Sequence, residues 1–152
     1  MTPSSDNPPS PENPLGGSCL CGGVRYEITK PLLRAGYCHC SRCRKLTGTL
    51  AGINGRLERD GFRLLTGEEL LGVYRPAEGS LPALFCRTCG STLFRGEWPD
   101  GEWIGIRLGT FDGDPGIRPT YHMFVDSRAG WEELPDDGLP RYAERITAPP
   151  GR

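Results

Sequence analysis

Cys38-His39-Cys40-Ser41-Arg42-Cys43 places three thiols within six residues, close enough for one soft metal ion to be held from a single turn of backbone. Two pairs flank it, Cys19-Leu20-Cys21 and Cys86-Arg87-Thr88-Cys89, each spaced like two corners of a tetrahedral site. The three groups use all seven cysteines. One division joins the outer pairs into a closed four-thiolate site and leaves Cys38, Cys40 and Cys43 as a three-ligand site with a free position. A closed site shields its metal and contributes binding energy to folding, whereas an open site takes an exogenous ligand. A second division also stays open: Cys40 and Cys43 with Cys86 and Cys89 as a zinc ribbon, leaving Cys19, Cys21 and Cys38. Zinc is the expected ion, two per chain. An iron–sulfur cluster suits an odd group of three less well, and a disulfide framework is disfavoured by the odd count, the short spacings and the lack of a secretory leader.

The remaining composition sets the fold class. With 152 residues the chain suits one domain with a modest core. Its 22 glycines and 15 prolines favour short strands and tight turns over a helical bundle. The formal charge of −1 and pI near 6.1 give no cationic field to draw it onto phosphate backbones, so nucleic acid is not an expected partner. No apolar run reaches the roughly 18 residues of a membrane span, so a soluble cytoplasmic protein is expected.

Residues 1–14, rich in Pro and Ser, read as a disordered tail, residues 15–142 as the folded domain and 143–152 as a C-terminal tail. Val24 to Ile28 alternates at the strand period, and Gly22-Gly23 can turn amides toward thiolate sulfurs. Leu32 to Cys40 has extended character. Ser41 is placed to cap a short helical turn running to Thr47-Gly48. Leu50–Ile53 and Phe62–Leu65 read as strands separated by turns at Asn54-Gly55 and Asp60-Gly61. Leu70–Tyr74, the segments on both sides of Cys86-Arg87-Thr88-Cys89-Gly90, Trp103–Leu108 and Tyr121–Val125 complete the strands. The aspartates of Phe111–Gly116 read as turn chemistry, since the twelve-residue pattern of a calcium loop is missing.

Around the three-cysteine group, Arg42, Arg44 and Lys45 favour the thiolate form and are candidates to receive the carboxylates of a small anionic substrate. His39 lies between two cysteines, and in an extended segment neighbours alternate faces, so it points away from a metal held by Cys38 and Cys40. His122 is a candidate proton carrier because an imidazole titrates near neutrality.

Three stretches together, Gly17-Ser18-Cys19-Leu20-Cys21-Gly22-Gly23-Val24, Cys38-His39-Cys40-Ser41-Arg42-Cys43-Arg44-Lys45 and Phe85-Cys86-Arg87-Thr88-Cys89-Gly90-Ser91, with His122 and Trp131, resemble the glutathione-dependent formaldehyde-activating enzyme family, which includes centromere protein V. The resemblance implies an all-β tent, a β-sandwich-like single domain of short antiparallel strands, shared with a Rab-associated guanine-nucleotide release factor. It implies a structural zinc on Cys19, Cys21, Cys86 and Cys89 and an open, catalytic zinc on Cys38, Cys40 and Cys43. The activity it implies joins a small thiol such as glutathione to formaldehyde or a similar carbon electrophile, formally a carbon–sulfur lyase run in reverse. The alternative is a non-catalytic, zinc-stabilised protein-interaction module.

Overall fold

Short segments with alternating apolar residues bury one face each and so pair into sheets that share a core. The structure, a computed structural model, describes residues 7–146. β1 (Leu15–Ser18), β2 (Arg25–Ile28) and β5 (Phe62–Thr66) form a three-stranded antiparallel sheet in the order β1-β2-β5. β3 (Arg34–Cys38), β4 (Gly52–Glu58), β6 (Leu71–Tyr74), β7 (Ala83–Cys86), β8 (Thr92–Arg95), β9 (Trp103–Arg107) and β10 (His122–Met123) form a seven-stranded sheet in the order β10-β3-β4-β9-β8-β7-β6. Its pairings are antiparallel except at one margin, where β10 runs parallel to β3 with His122 opposite Tyr37 and Met123 opposite Cys38. One α-helix, α1 (Ser41–Thr47), interrupts the strands among the described residues. The expected all-β, single-domain architecture is observed, and no helix of the described residues is long and apolar enough to cross a membrane.

Aromatic packing ties the sheets together. Tyr26 of β2 stacks on Phe62 of β5 at 5.2 Å between ring centroids, and Phe62 meets Phe94 of β8 at 5.0 Å. Ile28, Leu57, Leu84, Leu93, Ile104 and Ile106 fill the same fully buried cluster.

Two local readings of the sequence are corrected. Asn54-Gly55 is not a turn but the middle of β4, paired with Gly36 and Ala35 on one side and Arg107 and Ile106 on the other. Its glycine answers a close approach instead: a Cβ on Gly55 would lie 2.6 Å from Cδ1 of Leu32 and 3.0 Å from that of Leu108. The strand expected over Tyr121–Val125 is confined to His122–Met123, because Phe124 takes φ 57° and the chain enters a 3₁₀ turn, Val125–Ser127.

At the amino end, Ser10 and Asn13 exchange backbone hydrogen bonds of 3.1 and 3.0 Å around a tight turn. At the other end, the carbonyls of Glu144 and Ala143 accept from the amides of Phe124 and Asp126 at 2.8 and 3.3 Å. The outer parts of the two expected tails, residues 1–6 and 147–152, lie outside the described residues.

Candidate metal centres and pockets

The turn joining β1 to β2 carries Cys19 and Cys21, and the turn joining β7 to β8 carries Cys89, three residues after Cys86 at the end of β7. These hairpins belong to different sheets, so the cluster they form is a link between the sheets. All four sulfurs lie within 4.8 Å of one another. Cys19 and Cys21 are 3.5 Å apart and Cys21 and Cys86 3.8 Å. A tetrahedral ion with sulfur bonds of about 2.3 Å separates its ligands by about 3.8 Å, so this donor set fits one. The Val24 amide donates to Cys19 Sγ at 3.3 Å, while Gly90, at φ 79°, lets the chain reverse with its amide on the Cys86 carbonyl at 2.8 Å. The Ser91 hydroxyl, followed by backbone amides, holds the Cys89 thiol down to about 5, which favours the thiolate form that a metal needs.

Cys38, Cys40 and Cys43 form the second cluster, also within 4.8 Å. It is local: Cys38 ends β3, Cys40 precedes α1 and Cys43 lies in its first turn. The helix is capped one residue earlier than the sequence suggests. Cys40, in extended conformation, accepts the Cys43 amide on its sulfur at 3.3 Å and so takes the position expected of Ser41. Gly48, left-handed, closes the helix with its amide on the Arg44 carbonyl. Hydrogen bonds from the Cys38 and Cys43 thiols and from the Cys43 and Arg42 amides pull the Cys40 thiol far below its ordinary range, while contacts with the Cys40 and Cys43 thiols, together with burial, push Cys38 up. Cys40 and Cys43 therefore group with Cys38 and not with Cys86 and Cys89, which decides between the two divisions the spacing allowed.

Two guanidinium groups that the sequence did not single out face this cluster. Arg95 of β8 directs Nη1 to Cys43 Sγ at 3.8 Å and donates to the Leu81 carbonyl at 3.0 Å. Arg107 of β9 is buried, with Nη1 on Asn54 Oδ1 at 2.6 Å. The position a Cβ on Gly52 would occupy is 2.3 Å from that Nη1 and 3.3 Å from Cys43 Sγ. Gly52→Ala is thus expected to displace Arg107 and press on Cys43, at a cost of about 1–3 kcal/mol, and to speed metal release from this cluster to a chromogenic chelator. An unchanged release rate would show that the spacing is not tight.

Arg95 also lines a cavity of about 390 Å³ with Arg42, Lys45, Leu46, Tyr74, Pro76 and Ala77. Of the three cations expected to receive a substrate, Arg42 and Lys45 are here. Arg44 is not among its lining residues and donates to the Ser127 carbonyl at 3.3 Å.

The histidines occupy a different place. His39 points away from the sulfurs of its neighbours, as alternation predicts, and is buried with His122: His39 Nε2 and His122 Nδ1 are 2.9 Å apart. His122 Nε2 lies 2.7 Å from Asp137 Oδ2, and this contact holds the Asp137 carboxyl below its usual range. His39 Nδ1 lies 2.9 Å from Glu132 Oε1, ion-pair distance but off the line of a hydrogen bond. Tyr37 stacks on His122 at 4.7 Å. Both ring nitrogens of His122 are thus engaged, and it lines a second cavity, not the cationic one. Trp131 stands exposed beside Glu132.

The family model of the glutathione-dependent formaldehyde-activating enzyme matches residues 14–127, a stretch that contains all seven cysteines. The chain belongs to this family. A Halomonas elongata protein, provisionally named a glutathione-dependent formaldehyde-activating enzyme, is 30% identical over 129 residues, covering 79% of this chain and 80% of its own. A Penicillium rubens protein with the same provisional name is 26% identical over 117 residues, 76% of this chain but 54% of that one. A crystal structure of a Rhodobacter sphaeroides protein superposes with a TM-score of 0.55 at 25% identity, over 84% of this chain and 98% of the other. In this formaldehyde-activating family member the metal-type clusters and both strand-borne arginines fall inside the matched stretch, whereas Glu132 and Asp137 fall beyond it.

Proposed function

We propose that the chain is a zinc-dependent enzyme of carbon–sulfur lyase type that joins a glutathione-like thiol to formaldehyde or a similarly small aldehyde, and releases it in reverse. The observation that carries this reading is the cavity lined by Arg42, Lys45 and Arg95, whose Arg95 also contacts Cys43 of the three-cysteine cluster. Family membership supports the substrate pair. Cys19, Cys21, Cys86 and Cys89 would hold a structural zinc, and Cys38, Cys40 and Cys43 a second with one position free. Zinc at the second site would supply Lewis acidity, keeping a thiol deprotonated at neutral pH.

The chain's own residues do the rest. Arg42 and Lys45 bind the carboxylates of the thiol, and their place on α1 beside Cys43 directs its sulfur toward the cysteines. Arg95, between cavity and cluster, offsets the negative charge that gathers on the sulfurs. In the forward step the thiol gives up its proton to solvent water, sulfur forms a bond to the carbonyl carbon, and the carbonyl π pair moves to oxygen. That oxygen takes a proton from water, to which the cavity is open. The reverse step breaks the same carbon–sulfur bond. His39 and His122, tied to each other, are assigned no proton transfer in it.

A carbon-13 formaldehyde assay tests the proposal. The zinc-loaded protein should raise the rate of S-(hydroxymethyl)glutathione formation, and of its breakdown, well above the spontaneous rate. Exchange at the spontaneous rate in both directions would reject it.

A further inference from the structure

The second cavity, of about 350 Å³, is lined by Tyr37, Leu50, Ala51, Ile53 and Pro135, with His39, Thr49, His122 and Glu132 as its polar members. Its character is the reverse of the cationic cavity. No lysine or arginine lines it, and Glu132 is its one carboxylate. That carboxylate is buried, its side chain 2% exposed, and Oε2 has no hydrogen-bond partner in the protein. A buried carboxylate oxygen without a donor is costly, so such groups are normally completed by water or by a ligand. The cavity is in the size range of small-molecule sites, and its walls offer hydrocarbon and the Tyr37 ring around that single carboxylate.

We propose that this cavity is a second ligand site, separate from the cysteine clusters, and that it takes a small organic amine. The hydrocarbon body would lie on Leu50, Ala51, Ile53 and Pro135, and the ammonium would donate to the Glu132 carboxylate with the Tyr37 ring beside it. An anion is disfavoured by the carboxylate. A pure hydrocarbon leaves Oε2 unpaired, and a neutral alcohol supplies a donor but no charge. His39 and His122 hold one side of the cavity in place through their contact with each other and with Asp137, which ties the wall to the segment following β10. Glu132, Pro135 and Asp137 lie beyond residue 127, where the family-model match ends, while the other residues that line the cavity fall inside it.

The test uses the zinc-loaded full chain and four probes of one shape: cyclohexylamine, cyclohexanol, methylcyclohexane and cyclohexanecarboxylate, titrated while amide resonances are followed. The expected result is saturable binding of the amine with shifts at Thr49, Ala51 and Ile53, and affinity at least about tenfold weaker for the alcohol, the scale of one charge-assisted hydrogen bond. Ala51→Trp, placed to fill the cavity from its apolar wall, should abolish these shifts. Glu132→Gln should bring the amine down to the affinity of the alcohol, and if that variant does not fold, Ala51→Trp and the probe series still decide. Equal binding of amine and alcohol, shifts that survive Ala51→Trp, or shifts centred on Arg42 and Lys45 would each overturn the proposal. So would no saturable shift with any probe, which would leave water as the partner of Glu132.

Discussion

Replacing Cys86 by serine should leave a chain that does not complete its fold at zinc concentrations that saturate the wild type. The four-cysteine cluster draws its members from the β1–β2 turn of the small sheet and the β7–β8 turn of the large one, so a metal held there would fasten together two sheets that otherwise meet through packing and a few hydrogen bonds, such as that between Tyr26 Oη and Thr110 Oγ1 at 2.7 Å. Structural zinc sites contribute about 10–16 kcal/mol in apparent binding energy, as much as the whole 5–15 kcal/mol by which domains are stable. Cys86 is fully buried at the end of β7, and a serine there would give up one metal bond and bury a hydroxyl in its place. Cys43→Ser should behave differently, because Cys38, Cys40 and Cys43 come from one contiguous stretch and join no distant strands. It should keep native near-ultraviolet circular dichroism and lose one zinc. Equal melting of the two variants would contradict this division.

Removing Arg95 should weaken glutathione binding by about 10- to 100-fold, the range expected when one charge-assisted contact is lost from a partly enclosed site. Arg95→Ala removes the cation that both lines the cavity and approaches Cys43. Arg44→Ala is the internal control: its neighbours in sequence, Cys43 and Lys45, belong to the site, but its own side chain reaches the Ser127 carbonyl. Isothermal titration at two salt concentrations should show a smaller salt dependence for Arg95→Ala than for the wild type, and no change for Arg44→Ala. A larger loss from Arg44→Ala than from Arg95→Ala would place the anion site elsewhere.

The contrast between Arg44 and Arg95 also shows what the sequence could carry. The cysteine groups were legible because metal ligands at CxC and CxxC spacing are bound by local geometry, and the all-β class followed from glycine, proline and period-two alternation. Arg95 and Arg107 were not, since they reach the cluster only through the order β4-β9-β8, a consequence of long-range strand pairing that no local signal encodes. Asn54-Gly55 misled for a related reason. Its dipeptide is a turn signal by backbone preference, but here the packing of Leu32 and Leu108 selects the glycine. The orientation of His39 followed from simple alternation, whereas its partners did not: Glu132 and Asp137 come from a segment without periodicity, brought back beside β10 by backbone bonds such as the His122 amide to the Pro140 carbonyl at 2.9 Å.

On the function proposed above, the cluster of Cys38, Cys40 and Cys43 carries the exchangeable metal at which the thiol binds. Calorimetric titration of glutathione into two-zinc wild type and into folded Cys43→Ser protein tests it most directly. One saturable site per chain is expected in the wild type, weakened when S-methylglutathione replaces the free thiol, with no measurable binding to the variant. Equal binding to both proteins, or the same affinity for the methylated compound, would contradict it.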